Sequence, residues 1–84
     1  MRPILKRGCL ITLNAWEGMP MPECALLSGM AAHARPYQPT LADCREALLD
    51  CEAEGFVIGE LDTFDQSRTW SLTDKGTHKA RSLR

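Results

Sequence analysis

The chain has 84 residues, of which 44% are apolar and 25% charged, and its formal net charge is −1. That length holds one core and no second, so a single domain over residues 1–84 is expected. The composition is that of a globular domain, and no stretch approaches the ~20 apolar residues that a bilayer-spanning helix needs.

In the N-terminal "MRPILKRGCLITL", Lys6 and Arg7 interrupt the apolar run and no small-residue cleavage site follows. A secretory signal is therefore not expected, and a cytoplasmic location is. Pro3 to Trp16 reads as a first helix, with proline at a tolerated first-turn position. Ile4, Ile11 and Ala15 share a face with Gly8, while Leu5, Cys9 and Trp16 form the adjoining stripe. Leu10 and Leu13 are left over. This surplus predicts a helix that contacts something on two sides, and a homodimer through it is expected. Gly18 ends it.

"MPMP" at 19–22 cannot be helical, because a residue before proline is pushed towards extended geometry. Met21 is placed to form a single bridge in a tiny strand. Pro22 opens a second helix, "PECALLSGMAAHA", with Glu23 near its positive N-terminal end. Cys24, Leu27, Ala31 and Ala34 fall on one stripe, with Met30 beside it. "RPYQP" (35–39) is a linker imposed by its prolines.

The third helix starts at Thr40, where Thr-x-x-Asp43 resembles a capping box. Leu41, Cys44, Leu48 and Cys51 repeat at the spacing of a buried seam, and Gly55 closes the helix. The period then changes. "FVIGELDTF" and "RTWSL" read as two strands joined by the polar "DQS". Trp70 alternates with Leu72 and is expected to point inward. Thr73 is the N-cap of a final short helix ending in "HKARSLR".

The order from helix to closing helix resembles a winged helix-turn-helix domain, of the kind found in bacterial regulators of the MarR and PadR families and in short phage or prophage proteins. "LLDCEAEGFV" resembles the end of a recognition helix running through Gly into the first wing strand. "DQSRTWSLTDKG" resembles a wing followed by Leu-Thr-x-x-Gly and a closing helix. The spacing of the two preceding helices is the third shared feature. The resemblance implies an α+β fold: a three-helix core, a β-hairpin wing and a short C-terminal helix. It also implies a double-stranded DNA partner and a role in transcription regulation. Thr40 and Arg45 on the third helix, Arg68 on the wing and Arg35 before the third helix are the implied DNA contacts.

Charge runs against that implication. Residues 40–54 carry −4, one Arg against Asp43, Glu46, Asp50, Glu52 and Glu54, and residues 55–67 carry −3 from Glu60, Asp62 and Asp65. Residues 1–8 carry +3 and residues 68–84 carry +4, so both ends are basic and the middle acidic. Phosphate attraction supplies most non-specific affinity for DNA, so an acidic docking helix opposes it. The alternative function is therefore a protein–protein module whose acidic helix meets a basic partner. The C-terminal Lys75, Lys79, Arg81 and Arg84 are a solubilising tail, a DNA contact, or a match for the acidic middle of another copy.

The four cysteines show no C-x-x-C, Cys44 and Cys51 share a helical face with Leu41 and Leu48 and are read as small core residues, and no metal or cofactor is expected. His33 and His78 belong to no motif. No phosphate-binding loop, H-E-x-x-H or nucleophile elbow occurs, so an enzyme is not expected. Nor does the sequence contain an evident ligand pocket. Tyr37 is a candidate surface contact, and Trp16 is read as a core or dimer-interface residue.

Overall fold

The chain runs α1 (Arg2–Ala15), β1 (Met21–Pro22), α2 (Glu23–His33), α3 (Leu41–Ala53), β2 (Val57–Leu61), β3 (Arg68–Leu72) and α4 (Asp74–Ser82). This computed structural model describes residues 2–16, 19–61, 63–64 and 66–83. Gly18, Asp62, Asp65 and Arg84, which the sequence reading used for a helix stop, wing acidity and a basic tail, lie outside the described residues.

α1 is the hub. It packs against α2, α3, α4 and β3, which accounts for its surplus of apolar residues without a second molecule. Its buried residues are Leu5, Gly8, Cys9, Leu10 and Leu13. The face expected from Ile4 and Ala15 is instead the outer one, and Trp16 is 45% exposed. With neighbours on several sides, the core takes Leu5 and Cys9 of the adjoining stripe and the two leftover leucines, Leu10 and Leu13, as well. α2 buries Leu27 and Met30 as its stripe predicts, together with Leu26, while Cys24 at the start of that stripe is exposed.

α3 begins as its sequence predicts. Thr40 Oγ1 accepts from the Asp43 amide at 3.1 Å and the Thr40 amide donates to Asp43 Oδ2 at 3.0 Å. The buried seam is Cys44, Ala47, Leu48 and Cys51. Leu41, expected in that seam, is 68% exposed because it lies in the first turn, beyond the packed part of the helix. The helix ends at Gly55, whose φ of 81° is a left-handed conformation that glycine adopts without steric penalty. The Phe56 amide then donates back to the Cys51 carbonyl at 3.0 Å.

The sheet is antiparallel in the order β1-β3-β2, with Met21 opposite Trp70 and Gly59 opposite Trp70 on the other side. Trp70 is fully buried. Its ring covers Gly59, where an added Cβ would stand 2.8 Å from it. At the end of β3, Thr73 Oγ1 accepts from the Gly76 amide at 3.0 Å and donates to the Gly55 carbonyl at 2.6 Å. The Thr73 amide donates to the Phe56 carbonyl at 3.0 Å. Gly76 sits so close to that carbonyl that a Cβ there would overlap its oxygen, at 1.8 Å. The Leu-Thr-x-x-Gly sequence is thus the clamp that seats α4 on the end of α3.

Candidate nucleic-acid interface

The acids of α3 repeat every four residues at Glu46, Asp50 and Glu54, and the cations of α1 repeat every four at Arg2 and Lys6. Residues four apart share a helix face, so two such rows can meet along neighbouring helices. They do. Arg2 Nη2 lies 2.6 Å from Glu46 Oε2, Arg2 Nε lies 3.4 Å from Asp50 Oδ2, and Lys6 Nζ lies 2.7 Å from Glu54 Oε1. The Lys6 ammonium is pushed above its ordinary pKa, first by that hydrogen bond to Glu54. The basic N-terminus and the acidic third helix thus pair inside one chain.

Asp43 is committed to the cap of α3. Four of the five acids counted on this helix therefore have internal contacts, and Glu52 is the one with none among the described residues. Between side chains that are mostly more than a third exposed, such ion pairs contribute about 0–1 kcal/mol each to stability. Their larger effect is on the field around α3, which loses much of its net negative charge.

The implied contact residues are all exposed. Thr40 caps α3 with its oxygen as acceptor, which leaves its hydroxyl proton free to donate. Arg45 lies one turn further on, with Nη2 3.8 Å from Glu23 Oε2. Arg68 opens β3, its guanidinium 5.8 Å from the centre of the Trp70 ring. The indole Nε1 of Trp70 donates to Glu23 Oε1 at 3.2 Å. Arg45 and Arg68 are thus brought together around Glu23. Arg35 is not part of this group: it follows the far end of α2, roughly 18 Å along the helix axis from Glu23 at the usual rise per residue. Beside Arg68, a cleft of about 420 Å³ separates the start of α2 from the wing, between Pro22, Glu23, Leu61 and Gln66.

Glu23 is the site residue that sequence reading missed as such. The sequence places it only as an acid at the positive end of α2, and the signal for its second role is a buried tryptophan needing an acceptor for its N–H. The exposed surface of α3 and the wing also carries Leu41, Leu49, Ile58 and Leu61. His33 and His78 are exposed, as is Tyr37.

No protein-family model and no curated protein matches the chain. Solved structures do. A double mutant of ZitR from Lactococcus lactis, in its apo form, aligns with a TM-score of 0.70 at 16% identity, over 94% of this chain and 53% of that one. A single mutant of ZitR gives 0.71 at 16% identity, over 94% and 48%. A candidate DNA-binding protein from Ralstonia eutropha JMP134 aligns at 0.62 and 23% identity, over 96% of this chain and 94% of that one. The chain spans about half the length of the ZitR chains it matches. These likenesses show the fold: an α+β winged helix.

Proposed function

We propose that the chain is a small double-stranded-DNA-binding protein acting in transcription regulation, of the kind the MarR, PadR and phage winged-helix resemblance implies. The observation that carries this reading is the neutralisation of Glu46, Asp50 and Glu54 by Arg2 and Lys6. With those acids paired, the sequence-level objection to a DNA-docking α3 loses most of its force. Thr40 and Arg45 then face the groove, and Arg68 and Arg35 reach phosphates. The DNA-binding description of the Ralstonia protein, which matches along nearly its whole length, supports the same reading. In this proposal the protein is cytoplasmic and non-enzymatic, and it dimerises through α1, with exposed Trp16 and Met19 at the end of that helix as the contact.

The alternative, a module whose acidic α3 meets a basic partner, keeps Glu52 as its only internally uncommitted acid on that helix among the described residues. It is the weaker reading.

Fluorescence anisotropy with a random-sequence duplex, at low and physiological salt, tests the proposal on wild type, Arg68→Ala and Arg45→Ala. Affinity should fall steeply with salt, and each variant should weaken it and reduce the salt slope by about 1. No binding at low salt would overturn the reading.

A further inference from the structure

Leu41 and Leu49 of α3 are 68% and 45% exposed, whereas Cys44, Ala47, Leu48 and Cys51 form the buried seam of the same helix. Residues four apart share a helix face, so Leu41, Arg45 and Leu49 make one exposed row, and Ala42 lies beside it, also exposed. The charged neighbours are drawn off this surface to opposite sides. Glu46 turns to Arg2 of α1 at 2.6 Å, and Arg45 Nη2 lies 3.8 Å from Glu23 Oε2 at the start of α2. At the usual turn of about 100° per residue, Ala42 and Leu49 fall between these two charged side chains. The outward surface of α3 is therefore apolar where a groove-docking helix meets base edges.

Leucine offers no hydrogen bond to a base edge. The major groove does carry one apolar feature, the 5-methyl group of thymine, which apolar side chains contact. From Leu41 to Leu49 the helix rises roughly 12 Å, or about three to four base-pair steps, so the two side chains are spaced to meet methyl groups on separate base pairs. Uncharged contacts also suit a helix whose acids are neutralised by α1 rather than replaced by cations.

Resting on DNA binding by α3, we propose that Leu41 and Leu49 select duplexes by the 5-methyl groups of their pyrimidines. Thymine or 5-methylcytosine is favoured at two positions about three to four base pairs apart. Arg45 and Arg68 set affinity through charge, whereas these leucines set which duplex is bound and leave the salt slope unchanged.

The test takes the tightest-binding duplex that the whole chain selects from a random-sequence library, and prepares it with thymine or with uracil at every T position. The two duplexes share charge and base pairing and differ in the 5-methyl groups. Burying one methyl group is worth about threefold to fourfold in affinity, so two contacts predict roughly tenfold tighter binding of the thymine duplex. Leu41→Ala/Leu49→Ala truncates two exposed side chains and should keep the wild-type circular dichroism. It should bind the uracil duplex as wild type does and prefer the thymine duplex by less than about twofold. Equal affinity of wild type for the two duplexes would overturn this inference alone. So would a preference retained by the double variant, because the methyl groups would then act through DNA shape or another residue. Self-association that buries the amides of residues 41–49 and excludes the duplex would assign the leucines to a second copy and overturn it as well. A wild type that binds no duplex even at low salt would overturn DNA binding and this inference together.

Discussion

Trp70 Nε1 donates to Glu23 Oε1 at 3.2 Å and thereby ties the middle strand of the sheet to the first residue of α2. The other carboxylate oxygen of Glu23 faces Arg45 Nη2 at 3.8 Å, and Arg68 sits over the same indole. One side chain thus serves the core with one oxygen and holds a surface arginine with the other. Glu23→Gln keeps an acceptor for Trp70 and removes the charge. If Arg45 and Arg68 contact phosphates, the variant should bind a random duplex roughly twofold to fivefold more tightly at low salt, since an exposed ion pair is worth ~0.5–1 kcal/mol. Glu23→Ala should instead destabilise the fold by about 1–3 kcal/mol, because the indole N–H loses its partner. Anisotropy and urea denaturation separate the two effects.

The pairing of α1 with α3 makes a second prediction about residues outside the proposed interface. Arg2→Ala/Lys6→Ala leaves Glu46, Asp50 and Glu54 uncompensated. DNA affinity should drop, and each substitution should change stability by less than about 1 kcal/mol. A double variant that binds DNA as wild type does would show that the charge of α3 is irrelevant to docking.

The features legible in the sequence were local ones. Thr40 and Asp43 are three residues apart, and Gly55 and Thr73 end and begin helices by their own backbone geometry, so each was read correctly. The strands and the bridge at Met21 followed from alternation and prolines. On α1 and α2 the stripes through Leu5 and Cys9 and through Leu27, Met30 and Ala34 are buried as periodicity indicates, whereas the outward turn of Ile4, Trp16 and Cys24 and the burial of Leu10, Leu13 and Leu26 depend on how many neighbours surround each helix. The rows Arg2–Lys6 and Glu46–Asp50–Glu54 were visible as charge, but only the packing of α1 on α3 shows that they meet within one chain. The Glu23–Trp70 bond spans 47 residues and had no local signal.

Gly76 provides a test of the clamp at the start of α4. A methyl group there would overlap the Phe56 carbonyl oxygen, which already accepts the Thr73 amide. The worst overlap is with backbone, so the nearby Leu72 side chain cannot relieve it by moving aside. Gly76→Ala should therefore destabilise the protein by about 1–3 kcal/mol, as overpacking does, despite the better helix propensity of alanine. A lower urea midpoint with an unchanged slope is the expected reading.

The cysteines should differ sharply in reactivity. Cys24 is exposed, whereas Cys9, Cys44 and Cys51 are buried. The Cys9 thiol is held well above the ordinary thiol range, first by its hydrogen bond to Cys51 and then by burial. Burial also raises Cys44. The hydrogen bond with Cys9 lowers Cys51 instead, so Cys51 is shielded by burial alone; a maleimide at neutral pH should therefore label Cys24 quickly and the other three only on unfolding. Mass spectrometry with and without urea reads this out, and fast labelling of Cys9 or Cys51 in the native protein would contradict their packing.

The Lys6–Glu54 contact also sets a pH dependence. The hydrogen bond to Glu54 raises the Lys6 pKa above 10.5, so the folded chain holds this proton more tightly than the unfolded chain does. The stabilisation is therefore fully present below the unfolded value of 10.5 and is lost as pH rises through the higher folded value. Lys6→Met keeps much of the apolar stem against α3 and removes the titrating group. Wild type should exceed this variant in urea midpoint by a small, constant margin at neutral and mildly alkaline pH. The margin should shrink once the pH passes 10.5 and vanish above the folded pKa. A margin that stayed constant through that range would mean that Lys6 stabilises the chain by packing alone, and that its charge does nothing for Glu54.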